Sequence, residues 1–104
     1  MARFERLNNS YPVTITADPA TSQKLPFGAV AGATLMVTSG TGTITWYCQA
    51  DPDGDLFAMY DADGNPCESA VSEGNAFDLP AALFACPYIV GGGSDIEGFL
   101  AVSS

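Results

Sequence analysis

Residues 43–50, which read TITWYCQA, decide the fold class, because apolar and polar side chains alternate along them. One face receives Ile44, Trp46 and Cys48, and the other receives the more polar residues between them, among which is Tyr47. A period of two is typical of a β-strand that buries one face. We therefore predict a strand here, with Trp46 in the core and Tyr47 on the outer side.

Short apolar or alternating segments of the same kind recur along the chain, at residues 12–17, 33–38, 56–60, 88–90 and 99–103. Gly, Pro, Asp and Asn separate them, as they separate strands. Residues 39–42 (SGTG) predict a hairpin loop, and residues 79–86, between prolines, predict one short helical turn. The pattern predicts an all-β fold, an antiparallel β-sandwich or jelly-roll-like barrel with this helical turn and an extended N-terminal arm.

Length and charge divide the chain into an arm and a body. Its 104 residues suffice for one domain, and they carry 3 basic and 12 acidic side chains, a formal net charge of -9. All the basic residues, Arg3, Arg6 and Lys24, precede residue 25, and the rest of the chain is acidic only. We predict an arm over residues 1–11 and one β-sandwich domain over residues 12–104. Two interpretations of this asymmetry stay open: an acidic body that gains solubility from self-repulsion, or an N-terminal arm that seeks a different, less acidic partner surface.

Composition also excludes several classes of function. Because the chain has no His, it has no Ser-His-Asp triad and no His-ligated zinc site. Three basic residues are too few for a nucleic-acid interface, and no apolar stretch approaches the ~20 residues of a membrane span. Residues 1–10 (MARFERLNNS) lack the apolar run that we expect of a secretory signal, and the odd count of three cysteines (Cys48, Cys67 and Cys86) predicts small buried thiols in a protein made in the cytoplasm.

Five aspartates in two turns are the most tempting candidates for chemistry: Asp51, Asp53, Asp55, Asp61 and Asp63. Carboxylates at alternate positions resemble the start of a calcium loop, but neither run has the glycine and glutamate that an EF-hand requires further on. Three interpretations stay open. They are hairpin turns with solvated carboxylates, a cation site built from both loops, or paired acids for hydrolysis of a glycosidic bond.

Aromatic side chains leave a sugar-binding function open. A stacking surface for sugars needs several aromatic rings exposed on one face of the protein. Trp46 is expected in the core, so Tyr47 is the better exposed candidate. We therefore keep a carbohydrate-binding β-sandwich as an alternative.

The segment with the most specific pattern is residues 77–90, FDLPAALFACPYIV. Its order LPxxLFxxPYI, carried by Leu79, Pro80, Leu83, Phe84, Pro87, Tyr88 and Ile89, is followed by a glycine-rich loop and a final strand. This order resembles small β-sandwich decoration or cement proteins on the capsids of tailed bacteriophages. The likeness covers the last third of the chain. The size of the chain, its N-terminal arm and the regular spacing of its strands extend the likeness over the rest.

The resemblance implies a structural role on the outside of a virion capsid, with no enzymatic activity and no cofactor or metal. The implied partners are the major capsid protein and neighbouring copies of the chain, in a homotrimer. Neither nucleic acid nor a membrane is expected as a partner. From the residues we predict that the arm supplies charge pairing and apolar anchors, and that the loop after residue 18 presents a second apolar contact. The predicted partner-binding residues are Arg3, Phe4, Arg6, Leu7, Leu25 and Phe27.

Two alternatives accompany this prediction. The first is a carbohydrate- or receptor-binding β module of a phage fibre or tail. The second is a small hydrolase that uses the aspartates of residues 51–63, although the sequence shows no base, nucleophile or oxyanion donors to accompany them.

Overall fold

The computed structural model describes residues 9–27 and 30–103, which form two antiparallel β-sheets packed face to face. The strands are β1 (Asn9–Ile15), β2 (Leu25–Pro26), β3 (Gly32–Ser39), β4 (Gly42–Gln49), β5 (Phe57–Ala58), β6 (Glu68–Val71), β7 (Ala76–Asp78), β8 (Tyr88–Gly92) and β9 (Ile96–Ser103). Two short 3-10 helices, Pro19–Thr21 and Ala81–Ala85, interrupt them. The predicted all-β sandwich is confirmed.

The strand order is that of a jelly roll. Sheet I has the order β1-β9-β3-β7, and sheet II has the order β2-β8-β4-β5, with β6 also paired to β4. The chain changes sheets six times, at each connection from β1 to β4 and at each connection from β6 to β9. This crossing pairs strands that are distant in sequence, as in other double-sheet jelly rolls.

One predicted hairpin is therefore wrong. Because β3 belongs to sheet I and β4 to sheet II, residues 40 and 41 carry the chain between the sheets rather than around a hairpin. Gly40 adopts a φ of 104°, and a Cβ atom there would collide with the carbonyl oxygen of Asp95. Glycine is needed at this crossing because only it tolerates both conditions.

The first strand begins earlier than the predicted domain boundary. β1 starts at Asn9, which lies opposite Val102, so Asn9, Ser10 and Tyr11 belong to sheet I rather than to an arm. The rest of the predicted arm, residues 1–8, lies outside the described residues.

The inner faces of both sheets form one apolar core. Trp46 is fully buried, as predicted, and its indole Nε1 donates a hydrogen bond to Ser69 Oγ at 3.0 Å. The predicted helical turn is the 3-10 helix Ala81–Ala85, whose Leu83 is also fully buried. Beside it, the rings of Phe84 and Phe27 stack with centroids 5.6 Å apart. The turn thus closes one end of the sandwich with apolar side chains.

Candidate attachment surface

An apolar row crosses the outer face of sheet I. Pro12 of β1 lies opposite Phe99 of β9, Phe99 lies opposite Met36 of β3, and Met36 lies opposite Ala76 of β7. These residues point outward because their neighbours in each strand, such as Val13, Leu35 and Leu100, point into the core. We call Pro12, Phe99, Met36 and Ala76 the sheet stripe. Side chains opposite each other in neighbouring strands are within contact distance, so the stripe is one continuous patch.

The stripe is exposed to solvent although it is apolar. Phe99 retains 43% of its surface exposed, Pro12 and Ala76 are exposed, and Met36 is half-buried. A contiguous apolar patch on a small domain marks an interaction site more often than scattered single residues do. The stripe is therefore the first candidate for a contact surface.

Little charge surrounds the stripe. Of the acidic residues that the structure describes, only Asp78 and Glu97 belong to strands of sheet I. Asp78 accepts a hydrogen bond from Thr34 Oγ1 at 2.9 Å, and most outward neighbours of the stripe are Ser, Thr or Ala. The strands of sheet I thus carry two of the eleven acidic residues in the described chain, and both lie at exposed positions of the outer face, two residues from Ala76 and from Phe99.

Part of the outer face of sheet II is covered, in contrast, by two segments of the chain. Val90 points outward from β8 but is fully buried, and a Cβ on Gly92 would lie 2.9 Å from Pro19 of the first 3-10 helix. Gln49 of β4 lies beneath residues 50–56, and its Nε2 donates to the carbonyl oxygen of Gly54 at 2.8 Å. These segments cover part of sheet II, whereas Phe57 of β5 and Ala70 of β6 remain exposed; the apolar row that crosses four strands belongs to sheet I.

The N-terminal segment leads directly into the stripe. β1 is an edge strand of sheet I, and Pro12 in its middle has no N–H to offer on that edge. Further along β1, the backbone N–H of Thr14 donates to Gln23 Oε1 at 3.1 Å, which closes that part of the edge. Arg3, Phe4, Arg6 and Leu7 lie outside the described residues, and the chain that carries them joins sheet I next to the stripe.

The structure contradicts the prediction that Leu25 and Phe27 are presented to a partner. Both are buried, with 4% and 1% of their surfaces exposed, because Leu25 belongs to β2 and pairs with Ile89. The two side chains form the wall of a small apolar cavity of about 280 Å³ at the edge between the sheets, which Tyr11 also lines. The prolines and the glycine around these two residues predict an exposed loop, but both side chains are buried in the structure.

The aspartates of residues 51–63 stabilise two turns of the backbone. Asp51 Oδ1 accepts a hydrogen bond from the Asp53 backbone N–H at 3.0 Å, and Asp61 Oδ1 accepts from that of Asp63 at 2.9 Å. Both turns connect antiparallel neighbours, β4 with β5 and Tyr60 with Pro66. Within residues 9–27 and 30–103, no three carboxylate, thiol or imidazole groups are placed to hold one metal ion.

The three cysteines lie near one another without a disulfide. Cys67 and Cys86 are buried and Cys48 is half-buried, as expected for small apolar residues, and all three are free thiols. Cys86 Sγ lies 3.3 Å from Met59 Sδ. Burial first, and then the hydrogen bond with Cys48, raises the pKa of Cys86 to about 12; burial also raises the pKa of Cys67. Thiols that remain protonated are poor nucleophiles.

The exposed aromatic rings do not form one stacking surface. Trp46 is buried and Tyr47 is half-buried. Of the exposed rings in the described chain, Tyr11 and Phe99 belong to sheet I, whereas Phe57 belongs to sheet II and Tyr60 follows it. Sequence reasoning placed no contact residue on sheet I, because the stripe exists only once four strands are in register.

Comparison with known proteins supports the fold. The chain is similar to the crystal structure of the SPBc2 prophage-derived protein YomS, with 13% sequence identity, a TM-score of 0.53, and coverage of 98% of this chain and 100% of that one. No protein-family model matches the chain, and no curated protein matches its sequence. No helix among the described residues is long and apolar enough to cross a bilayer.

Proposed function

We propose that the chain is a structural protein of a phage virion, a capsid decoration or cement protein that binds the major capsid protein and stabilises the head. The observation that carries this proposal is the sheet stripe, an exposed apolar row on a charge-poor face of an otherwise acidic domain. In the proposal, the stripe lies against the capsid and the acidic side of the molecule faces solvent.

β1, which follows the N-terminal segment in the chain, forms an edge of this same sheet, and in the proposal residues 1–8 and the stripe bind the capsid together. Residues 1–8 carry Arg3, Arg6, Phe4 and Leu7, which supply charge pairing and apolar anchors to a capsid subunit beside the one under the stripe. Two weak contacts linked through one chain raise the overall affinity, because the second contact forms at a high effective concentration. A cement protein needs this kind of bridging between subunits.

The fold supports the proposal by analogy. A protein of prophage origin shares the architecture along its whole length, and jelly rolls are common among capsid proteins. In the proposal, the protein is made in the host cytoplasm and then binds to the capsid exterior, with copies arranged as trimers at local three-fold positions.

Co-sedimentation with purified heads of the encoding phage tests this function. The full chain should pellet with heads at a fixed number of copies per capsid subunit and should raise the temperature at which the heads break open. If the chain stays in the supernatant and instead responds to glycans by a change in tyrosine fluorescence, it is a sugar-binding module and the proposal is wrong.

A further inference from the structure

Four sulfur-containing side chains meet in one part of the core. Of the five Cys and Met residues that the structure describes, all except Met36 belong to this group, which we call the sulfur cluster: Cys48, Met59, Cys67 and Cys86. They come from four separate parts of the chain, namely β4, the residue after β5, the residue before β6 and the residue after the second 3-10 helix. Only the fold brings them together, because no two of them are close in the sequence.

Backbone hydrogen bonds place two members of the cluster beside β4. The N–H of Met59 donates to Trp46 O at 3.1 Å, and the N–H of Cys67 donates to Met59 O at 2.9 Å. The N–H of Trp46 donates in turn to Cys67 O at 3.0 Å, so the three residues form a closed junction of strands. Cys48 follows Trp46 by two residues in β4 and therefore shares its inner face.

The thiol of Cys86 contacts two other sulfur atoms at this junction. Its Sγ lies 3.3 Å from Met59 Sδ, and it is hydrogen-bonded with Cys48. A sulfur–metal bond is ~2.3 Å long, so two sulfur ligands of one ion lie at most ~4.6 Å apart. The observed contact is within this limit, and the unbranched Met59 side chain can adjust the spacing by rotation about its bonds. Three sulfur atoms are thus close enough to share one ion.

The sulfur cluster is buried and yet lies next to the protein surface. Cys67 and Cys86 are 4% and 6% exposed, whereas Cys48 and Met59 are half-buried. A small movement of the two half-buried side chains is therefore enough to admit an ion from solvent.

The donor atoms select the kind of ion. Thiolate and thioether sulfur atoms are soft ligands, which favour copper(I) among the common metal ions. A structural zinc ion takes four donors from thiolate, imidazole and carboxylate groups, and thioether sulfur is not among them. Within the described chain no three thiol or carboxylate groups converge, so the available set is two thiols and one thioether. This set fits copper(I) and leaves zinc without its third and fourth ligands.

We propose that Cys48, Met59 and Cys86 bind one copper(I) ion through their three sulfur atoms. Both thiols release their protons to solvent when the ion binds, and the ion offsets one of the two negative charges that result. The remaining charge costs least at Cys48, which is half-buried. Cys67 lies beside the site without completing a set of three thiolates, so its thiol is not a ligand. The site is in the core and is independent of the sheet stripe.

Anaerobic titration of the reduced, full-length chain with copper(I) tests the site. A coloured copper(I) chelator competes for the ion, so its absorbance gives the number of ions bound and their affinity. The native chain should bind one ion and its melting temperature should rise, because only the folded state holds the three sulfur atoms together. Cys48→Ala, Cys86→Ala and the volume-conserving Met59→Leu should each bind at least about tenfold more weakly, since even second-shell partners contribute that much.

Cys67→Ala is the matched control, because it removes a thiol that is as buried as that of Cys86 but is no ligand. Its affinity for copper(I) should stay within about twofold of the native value. Circular dichroism checks that each variant folds, and if Cys86→Ala does not, the two variants at half-buried positions decide the test. Any one of four results overturns the inference: a native chain without a one-to-one complex, a melting temperature that copper(I) does not raise, a ligand variant that binds like the native chain, or a control as weak as the ligand variants.

Discussion

Met36 and Phe99 lie directly opposite each other on the outer face of sheet I, although 63 positions separate them in the chain. Pro12 and Ala76 extend this pair into the sheet stripe on either side. The pair forms the centre of an apolar row, largely exposed, that crosses all four strands of sheet I.

The first prediction concerns Phe99 itself. Phe99→Asp should lower the affinity for capsids by at least about tenfold, because it places a charge in the centre of the apolar contact. Phe57→Asp is the matched control: Phe57 is 60% exposed but lies on sheet II, so its variant should bind like the native chain. Binding is measured by co-sedimentation, and folding by circular dichroism. Equal losses in the two variants would contradict a contact through sheet I.

The second prediction separates the N-terminal segment from the domain. Removal of residues 2–8 should leave the melting temperature nearly unchanged, because β1 begins at Asn9, while capsid binding falls by at least about tenfold. Extending the deletion to Val13 should destabilise the protein, since Val13 is 3% exposed and pairs with Gly98. Undiminished decoration by the shorter chain would show that the segment has no part in attachment.

Much of the body could be predicted from the sequence, and the attachment surface could not. Alternation along β4 identified the buried Trp46, and the apolar turn between prolines identified the helix around Leu83. β2, β6 and β7 have two to four residues, too few to show a period. The stripe and the sulfur cluster depend on register and on the packing of distant strands, so no local pattern in the sequence encodes them.

The same limit explains one burial that the sequence does not reveal and one wrong expectation. Gln49 lies on the polar face of its strand, but residues 50–56 fold over it and bury it. Leu25 and Phe27 lie in a proline-bounded stretch that was expected to be a loop, but a two-residue strand turns both side chains into the core. In both cases packing against a distant element decided the exposure of the residue.

The third prediction tests how closely the two sheets pack. A Cβ on Gly91 would lie 2.9 Å from Ile44 Cγ2 and 3.1 Å from Trp46 Cζ3, so Gly91→Ala overpacks the centre of the core. We expect a loss of about 1–3 kcal/mol in the free energy of unfolding, measured by urea titration. A stability equal to that of the native protein would mean that the core is looser than described here.

The fourth prediction follows from the thiol of Cys86. Its pKa is about 12 in the folded chain and near 9.0 when unperturbed, so the folded state favours the protonated form. The resulting stabilisation is complete below pH about 9 and disappears as pH rises towards about 12. Under reducing conditions, the free energy of unfolding of the native protein should therefore fall more between pH 8 and pH 10.5 than that of Cys86→Ala. Urea titration at each pH measures both values. Parallel losses would indicate an ordinary, solvated thiol.

The orientation of the protein on an assembled head tests the central claim most directly. Electron cryo-microscopy of decorated heads at side-chain resolution should show sheet I facing the capsid shell, with Phe99 and Met36 buried against the major capsid protein. A protein bound with sheet I towards solvent, or heads that carry none of it, would contradict the account.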